Sequence, residues 1–156
     1  MIRVAHKSDY TDMDSVFRSS AEALCIRDYD SKTVLDWVGE ANPERFVQSA
    51  NNGCVQYVKV LENRVVCFGE LNIEKQLLLS LFVSPDCVGK GIGQKMIEFL
   101  FIKANKAGIK ILKVDSSLNA ANFYLRNGFV EQSKSNFTTR NGVVLESIKM
   151  ECALST

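Results

Sequence analysis

Apolar residues along the chain alternate between the spacing of strands and that of helices. A continuous apolar run from Leu77 to Val83, interrupted only by Ser80, is typical of a strand buried on both faces within a sheet. Pro85 marks its end, because proline has no amide hydrogen for a strand ladder. Apolar residues then recur at helical spacing from Ile92 to Ala107. This pattern predicts an amphipathic helix that packs back on the strand.

The same periodicities predict the other elements. The predicted strands are Ile2–Ala5, Cys54–Leu61, Arg64–Ile73, Leu77–Val83, Ile109–Asp115, Phe129–Thr139 and Val143–Met150; predicted helices follow Ser8, Ser31 and Asn42-Pro43, precede Gly108, and span Asn119–Asn127. A hairpin is also predicted around Glu62-Asn63, and Asn141-Gly142 is typical of a two-residue hairpin turn. This order of elements predicts an α+β, or α/β layered, fold with a mixed sheet.

Composition narrows the classes of function. At 156 residues the chain is expected to form one domain, residues 1–156, with a sizeable core. Its 19 basic and 18 acidic residues leave a formal charge of +1, so no attraction to nucleic acid or to an anionic membrane is expected. Five cysteines without C-x-x-C spacing and one histidine favour reduced thiols over a metal site or a disulfide framework. Because the N-terminus also lacks a signal-peptide core, we expect a cytoplasmic protein.

Three glycines, Gly89, Gly91 and Gly93, lie between the central strand and the central helix. A glycine-rich loop before a helix lets backbone amides approach an anion, and the helix dipole adds to the attraction. The loop lacks the Ser or Thr of a Walker A motif and the third glycine of a dinucleotide-binding fingerprint. Asp115 nevertheless lies about where the ribose-binding acid of that fingerprint would be. A nucleotide-dependent reductase is therefore one alternative.

The loop resembles the acyl-CoA loop of the GNAT superfamily of N-acyltransferases, in which Arg/Gln-x-x-Gly-x-Gly/Ala follows a buried strand. The segment from Val88 to Gly93 matches except at its first position, where Val88 replaces a side-chain donor. A second block, from Asn119 to Phe129, carries the family's Asn-Phe-Tyr and Gly-Phe residues at the expected distance. The resemblance covers Leu77 to Phe129. It implies a mostly antiparallel sheet flanked by helices, with a splayed strand pair that opens a slot for pantetheine.

The resemblance implies an acetyl-CoA-dependent N-acetyltransferase that acetylates a primary amine of a small molecule or peptide in a ternary complex. The cofactor would lie against the glycine loop and the end of the preceding strand. The cofactor-binding residues implied are Phe82, Val83, Val88, Gly89, Lys90, Gly91, Ile92, Gly93, Gln94 and Asn122. No metal is implied, and the oligomeric state stays open, a homodimer included.

Acyl transfer also requires a group that serves the leaving thiolate and a base for the amine. Tyr124 matches the family tyrosine for the first role, and we expect it to donate a hydrogen bond rather than a whole proton. Many relatives have a carboxylate on the central strand; here that strand offers only Ser80, so Glu70 on the preceding strand is the candidate base. Tyr29 and Trp37 are candidates for the acceptor pocket, as are Arg27, Asp28 and Phe137. Core packing is the alternative for the aromatic residues, and an exposed position on an alternating strand is the alternative for Glu70.

Two other interpretations of the whole chain stay open. Val88 and the missing strand carboxylate would also fit a GNAT-fold domain that binds acyl-CoA without activity. A plain interaction domain, like the reductase above, would need no acyl-CoA at all.

Overall fold

A computed structural model describes residues 1–25, 27–139 and 141–155 of the chain. In chain order the elements are β1 (Ile2–Val4), α1 (Tyr10–Leu24), α2 (Ser31–Val38), α3 (Glu44–Asn51), β2 (Cys54–Leu61), β3 (Arg64–Asn72), β4 (Leu77–Val83), α4 (Ile92–Lys106), β5 (Ile111–Ser117), α5 (Ala121–Arg126), β6 (Val130–Thr138) and β7 (Val144–Ala153). Each helix and strand predicted from the sequence is present, with some ends shifted.

The strands form one sheet in the order β1-β2-β3-β4-β5-β7-β6. Neighbouring strands run antiparallel except β4 and β5, which are parallel. Helices α1, α2 and α3 contribute to a core on one face, and α4 and α5 contribute to a second core on the other. The predicted layered fold with a mixed, mostly antiparallel sheet is therefore confirmed.

Strands β4 and β5 pair only at their beginnings and then separate. Leu77 and Leu78 are the β4 residues that pair with β5 in the described part of the chain. On its other side, β4 carries a bulge, because its pairing with β3 passes from Leu78 to Ser80 and omits Leu79. A bulge bends its strand and increases the local twist. The result is the predicted splayed pair, with a gap between the two strands beyond Leu78.

The gap alters the burial predicted for β4. The apolar run predicts a strand buried on both faces, but Leu79 is 46% exposed and residues Ser80 to Val83 are only partly buried. These residues line the cleft on the side of the gap, while Ser80 to Val83 remain paired with β3 on the other side. The prediction of complete burial was wrong because sequence periodicity does not reveal that a neighbouring strand diverges.

Each face of the sheet has its own hydrophobic core. Met96, Leu100 and Tyr124 belong to the core on the α4 side, which we call the α4 face, and Trp37 belongs to the core on the α1 side, the α1 face. Helix α4 approaches β3 closely at Gly69, where an added Cβ would lie 2.8 Å from Leu100 Cδ1. Because the two cores lie on opposite faces of the sheet, a ligand that enters the β4–β5 gap would contact both faces.

One of the two predicted hairpin turns differs from the prediction. The hairpin predicted around Glu62-Asn63 is confirmed: Leu61 pairs with Arg64, and the two turn residues have positive φ values of 49° and 61°. The hairpin predicted at Asn141-Gly142 is present, but its loop is longer, since the Thr139 amide donates to the Val143 carbonyl at 2.8 Å. Gly142, at φ 79°, accommodates the additional residue. The two-residue length predicted there was wrong.

Element ends also shift. Asp30, rather than Ser31, caps α2, because its carboxylate accepts a hydrogen bond from the Thr33 amide at 2.9 Å. Strand β5 begins at Ile111 and its pairing with β7 continues to Ser117. Across the described residues, no helix combines the length and apolar character needed to span a bilayer.

Asp14 on α1 fixes the segment that precedes α3. Its carboxylate, in a residue only 1% exposed, accepts hydrogen bonds from Arg18 Nε at 3.0 Å, Arg45 Nε at 2.8 Å and the Asn42 amide at 3.0 Å. Removing one partner of a buried ion pair typically costs about 3–5 kcal/mol. Because both arginines are partly exposed, we expect Asp14→Ala to lower the free energy of unfolding in urea by about 2–3 kcal/mol. Asp12→Ala, at an exposed acid on the same helix, should cost less than about 1 kcal/mol. Equal effects would contradict this role.

Candidate active site

A cleft of about 1160 Å³ occupies the β4–β5 gap and reaches both faces of the sheet. Its wall includes the glycine loop, β4, the end of β5, α5 and parts of α1 and α2. The predicted site residues in the wall are Trp37, Glu70, Phe82, Val83, Val88, Gly89, Gly91, Ile92, Gly93, Gln94 and Tyr124. Three predicted residues, Tyr29, Lys90 and Asn122, do not belong to it. The structure thus brings most of the sequence-predicted set into one site.

The glycine loop presents backbone amides at the N-terminus of α4. Gly89 and Gly91 have φ values of 84° and 78°, a left-handed conformation that other residues rarely adopt. Gly91 is the N-cap and provides no side-chain cap, so the amides from Ile92 to Gln94 lack intrahelical partners. A Cβ built at Gly89 or Gly91 would meet no atom within 4 Å beyond its chain neighbours. These amides border open space, which suits an anion such as a phosphate.

Other loop residues position α4. A Cβ at Gly93 would lie 3.4 Å from Val83 Cγ2 and 3.6 Å from the Phe123 ring, so glycine allows α4 to pack closely on β4 and α5. Gln94 Nε2 donates to Asn127 Oδ1 at 2.8 Å, which links α4 to the end of α5. Val88 is 50% exposed and supplies no polar side-chain group. Any anion at this loop would therefore be bound mainly through backbone amides.

The open edge of β4 offers further backbone groups. The Ser84 amide donates to a β3 carbonyl at 2.8 Å, so Ser84 is turned toward β3. Backbone groups alternate in direction along a strand, and those of Leu81 and Val83 consequently point into the gap. Phe82 packs its ring on Phe17 at the α1 face, with 5.1 Å between centroids. The sequence analysis included Val83 but missed Leu81, because the gap could not be located residue by residue.

Tyr124 reaches the cleft from the α4 face. Its ring makes T-shaped contacts with Phe123 and Phe129, at centroid distances of 5.4 and 5.2 Å. The residue is 4% exposed. Burial raises the pKa of Tyr124 above its ordinary value, and the nearby Cys67 thiol adds to the shift. The phenol therefore stays protonated at neutral pH and can donate a hydrogen bond into the cleft.

Asn119 and Arg126 line the cleft near Tyr124, whereas Asn122, which the sequence predicted there, does not. Asn122 is exposed and lies outside the wall, whereas Asn119 lies within it. Asn119 Oδ1 accepts a hydrogen bond from Cys25 Sγ at 3.3 Å, and burial raises the pKa of Cys25 to about 12, so the thiol keeps its proton. Arg126, in the last turn of α5, is exposed and also lines the cleft. Its positive charge close in sequence to the Asn119–Phe129 motif is the signal that could have identified it.

Glu70 is buried on the α1 face. It is 4% exposed, so the alternative of an exposed carboxylate is wrong. Ser80 Oγ donates to Glu70 Oε1 at 2.7 Å, and Gln56 Nε2 donates to Oε2 at 3.0 Å. Gln56 is fixed in turn by the Tyr10 hydroxyl, which donates to Gln56 Oε1 at 2.6 Å. The carboxylate thus has a neutral donor on each oxygen while it lines the cleft.

Aromatic side chains line the cleft on the α1 face. Trp37 is 8% exposed and packs edge-on against Phe137, with 6.3 Å between centroids. Tyr29 lies beside Trp37 but outside the cleft wall. Its hydroxyl donates to the Glu146 carbonyl at 2.7 Å and accepts from the Leu118 amide at 3.0 Å. Trp37 therefore can contact an acceptor, whereas Tyr29 connects the loop before α2 to β7 and to the turn after β5.

Charged groups complete the wall. Arg27 and Asp28 are exposed there, and Asp115 lines the cleft from β5. Asp115 Oδ1 is buried and lacks a hydrogen-bond partner in the described part of the protein. A buried acceptor without a donor is unfavourable, so a ligand that brings a donor would be stabilised here. Within residues 1–25, 27–139 and 141–155, no group of three or more His, Cys, Asp or Glu side chains could hold a metal ion.

The splayed sheet, the amide-lined loop and the cleft through the gap together define a coenzyme A-dependent acyltransferase fold. The sequence matches the family model described as an acetyltransferase (GNAT) domain over residues 25–154. The chain therefore belongs to the GNAT acetyltransferases. This confirms the predicted family and the predicted enzyme class, and acetyl-CoA is the cofactor of that family. None of the curated proteins compared with the sequence matches it.

Solved structures agree with this assignment. A GCN5-related N-acetyltransferase from Rhodopseudomonas palustris superposes with a TM-score of 0.89 at 27% identity, covering 99% of this chain and 95% of that one. The PaiA N-acetyltransferase from Thermoplasma acidophilum, solved in complex with coenzyme A, gives 0.81 at 21% identity and 98% coverage of both chains. A phosphinothricin acetyltransferase from Sinorhizobium meliloti, solved with acetyl-CoA, gives 0.70 at 19% identity, covering 99% of this chain and 88% of that one. At these identities, the second and third likenesses establish the fold alone.

Proposed function

We propose that the protein transfers the acetyl group of acetyl-CoA to a primary amine of a small molecule or peptide, by direct attack of the amine in a ternary complex. The observation that carries the proposal is the cleft through the β4–β5 gap, with Tyr124 on the α4 face and Glu70 on the α1 face. Donor and acceptor can enter from opposite faces and meet in the gap. The cytoplasm is the proposed compartment, because all five cysteines are free thiols.

The glycine loop and the β4 edge fit the donor. The first-turn amides and the dipole of α4 would bind the pyrophosphate, and Arg126 would add a charge-assisted contact. The gap-facing backbone groups of Leu81 and Val83 would bind the pantetheine arm as an additional strand would be bound. When bound, acetyl-CoA supplies the thioester whose acyl group passes to the amine.

Tyr124 would donate a hydrogen bond to the sulfur as the thiolate departs. A phenol has an ordinary pKa of about 10 and a thiol about 8.5, so complete proton transfer is already unfavourable. Burial raises the pKa of Tyr124 further, which makes that transfer still less favourable. The tyrosine would therefore stabilise the developing negative charge as a donor.

Glu70 would remove a proton from the acceptor. An alkyl ammonium group has a pKa of about 10.4, so it is mostly charged at neutral pH and must lose a proton before it can attack. Glu70 lies in the cleft wall on the same face as Trp37 and Phe137. Those rings would contact the carbon skeleton of the amine, and Asp115 would offer its unpaired oxygen to a polar group of the acceptor.

The proposal is tested by measuring the release of free coenzyme A thiol from acetyl-CoA in the presence of a panel of small amines and of peptides with a free N-terminal amine. Acetyl-CoA, and not NAD, should stabilise the protein against heat, by about 2.7 kcal/mol at a hundred times its Kd. Stabilisation by acetyl-CoA without amine-dependent thiol release would favour the alternative of an acyl-CoA-binding domain without activity, which the apolar Val88 supports. Stabilisation by NAD alone would favour a reductase.

Glu70→Gln should lower turnover at pH 7 by about tenfold, the loss being limited by water acting as a weaker base. Part of the activity should return above pH 9, because more of the acceptor is then already uncharged. The measurement is the pH dependence of kcat/KM for the amine. Glu74→Gln, at an exposed glutamate in the turn after β3, should leave the profile unchanged. A profile for Glu70→Gln that overlays the wild-type one would remove Glu70 from the mechanism.

A further inference from the structure

The β4 bulge places a hydroxyl between Glu70 and the cleft. In a regular ladder that continued from the Leu71–Leu78 pair, Glu70 would lie opposite Leu79. The bulge omits Leu79 from the pairing, and Ser80 lies opposite Glu70 instead. Cross-strand partners share a face of the sheet, and Ser80 Oγ lies 2.7 Å from Glu70 Oε1. Many members of the family have a carboxylate on the strand that corresponds to β4. In this chain Ser80 on β4 is hydrogen-bonded instead to the carboxylate of Glu70 on β3.

The other oxygen of Glu70 has no comparable route for a proton. Gln56 Nε2 donates both to Glu70 Oε2 at 3.0 Å and to the Phe46 carbonyl at 2.9 Å. A carbonyl only accepts, and the Tyr10 hydroxyl donates to Gln56 Oε1, so the amide cannot be reversed without losing these bonds. An amide nitrogen accepts no proton in this arrangement. The hydrogen-bond partner of Oε2 therefore cannot relay a proton from the cleft.

Ser80 differs from Gln56 because a hydroxyl donates and accepts at once. Its proton is directed to Glu70 Oε1, and its oxygen keeps lone pairs for a second partner. Ser80 is only partly buried and lines the cleft, whereas Glu70 is 4% exposed. An ammonium group in the cleft would thus meet the serine oxygen more readily than the carboxylate behind it.

We propose that Ser80 is a catalytic residue that relays a proton from the acceptor ammonium to Glu70. The Ser80 oxygen accepts a proton from R–NH3⁺ while its own proton passes to Glu70 Oε1, which leaves R–NH2, an intact serine hydroxyl and a neutral carboxylic acid. Glu70 returns that proton to solvent after the products leave. The relay rests on the proposed amine acetylation and adds to it the route by which the base is reached.

The test compares Ser80→Ala with Ser80→Thr, which keeps a hydroxyl, and with Ser133→Ala, at an exposed serine of β6 outside the cleft. Ser80→Ala should lower kcat/KM for the amine at pH 7 by about tenfold and regain activity at high pH. Ser80→Thr should retain most of the activity, and Ser133→Ala all of it. Acetyl-CoA affinity, measured by calorimetry without an acceptor, should be the same for every variant.

A double-mutant cycle separates a relay from two independent effects. If both residues act on one proton path, Ser80→Ala combined with Glu70→Gln should be no slower than Glu70→Gln alone. Multiplied losses, or a Ser80→Ala profile identical to wild type, would overturn the relay while leaving amine acetylation intact. A large loss of acetyl-CoA affinity in Ser80→Ala would also overturn it, by showing a structural role. Failure of the wild-type protein to acetylate any amine would overturn the proposed function and the relay together.

Discussion

Gly91→Glu is expected to weaken acetyl-CoA binding by at least about a hundredfold, a loss of about 2.7 kcal/mol. Gly91 has φ 78° and is the N-cap of α4, so any side chain there meets an unfavourable backbone conformation. A glutamate would also project into the open space before the helix and place a negative charge where the pyrophosphate is proposed to bind. Repulsion between like charges and occupation of the site act in the same direction. The measurement is calorimetric titration with acetyl-CoA.

Gly108→Glu is the matched control for this change. Gly108 follows the other end of α4, has φ 86°, and an added Cβ would meet no atom within 4 Å beyond its chain neighbours. It therefore reproduces the backbone strain and the added charge at a position outside the cleft wall. Circular dichroism should show both variants folded, and only Gly91→Glu should lose affinity. A folded Gly91→Glu protein with wild-type affinity would refute the proposed location of the pyrophosphate.

Val88→Arg tests the same loop in the opposite direction. Restoring a cation at the first position of the motif should leave acetyl-CoA affinity equal or tighter, because Val88 is exposed and lines the cleft.

Tyr124→Phe is expected to lower kcat by about 10²-fold, the lower end of the usual 10²–10⁴ contribution of a positioned proton donor. The ring stays, so its contacts with Phe123 and Phe129 should be preserved, and acetyl-CoA affinity and thermal stability should change little. The loss arises because the departing thiolate no longer receives a hydrogen bond. It should be visible in kcat across pH 6–9, since the raised pKa of Tyr124 keeps the wild-type hydroxyl protonated over that range.

Tyr57→Phe provides the comparison. Tyr57 is a buried tyrosine of the same core, 7% exposed and packed on Phe99, but it is not part of the cleft wall. Loss of the Tyr57 hydroxyl in Tyr57→Phe should leave kcat near the wild-type value. If Tyr124→Phe also kept full activity, Tyr124 would be a packing residue and water would have to hydrogen-bond to the departing thiolate.

Local features of this chain could be predicted because they depend on neighbours in sequence. The strand and helix periodicities identified each element in order, and glycine spacing located the loop at the start of α4. The Asn119–Phe129 block placed Tyr124 near the cleft, and Trp37 was identified as a candidate for its wall. Glu70 was chosen by elimination among carboxylates; the structure places it in the cleft wall, but the sequence could not decide whether it was buried or exposed.

Distances between segments could not be predicted in the same way. The sequence predicted both Tyr29 and Trp37 for the acceptor pocket, but only Trp37 lines the cleft. The Tyr29 hydroxyl is instead hydrogen-bonded to the backbone of Glu146 and Leu118, which are distant in sequence. Asn119 and Asn122 belong to one motif, and the geometry of the turn before α5 places only Asn119 in the cleft wall. These outcomes depend on how α2, β7 and α5 pack on a completed sheet.

The sequence alone therefore determined the order of elements, the glycine loop before α4 and the family, because periodicity, glycine conformation and short motifs act over a few neighbouring residues. The tertiary structure decided which faces meet in the gap and which residue contacts Glu70. A single bulge at Leu79 exchanges a leucine for Ser80 opposite the carboxylate and helps to open β4 from β5. Strand register of this kind is fixed by the summed packing of distant strands and helices, and that sum exists only once the whole sheet has formed.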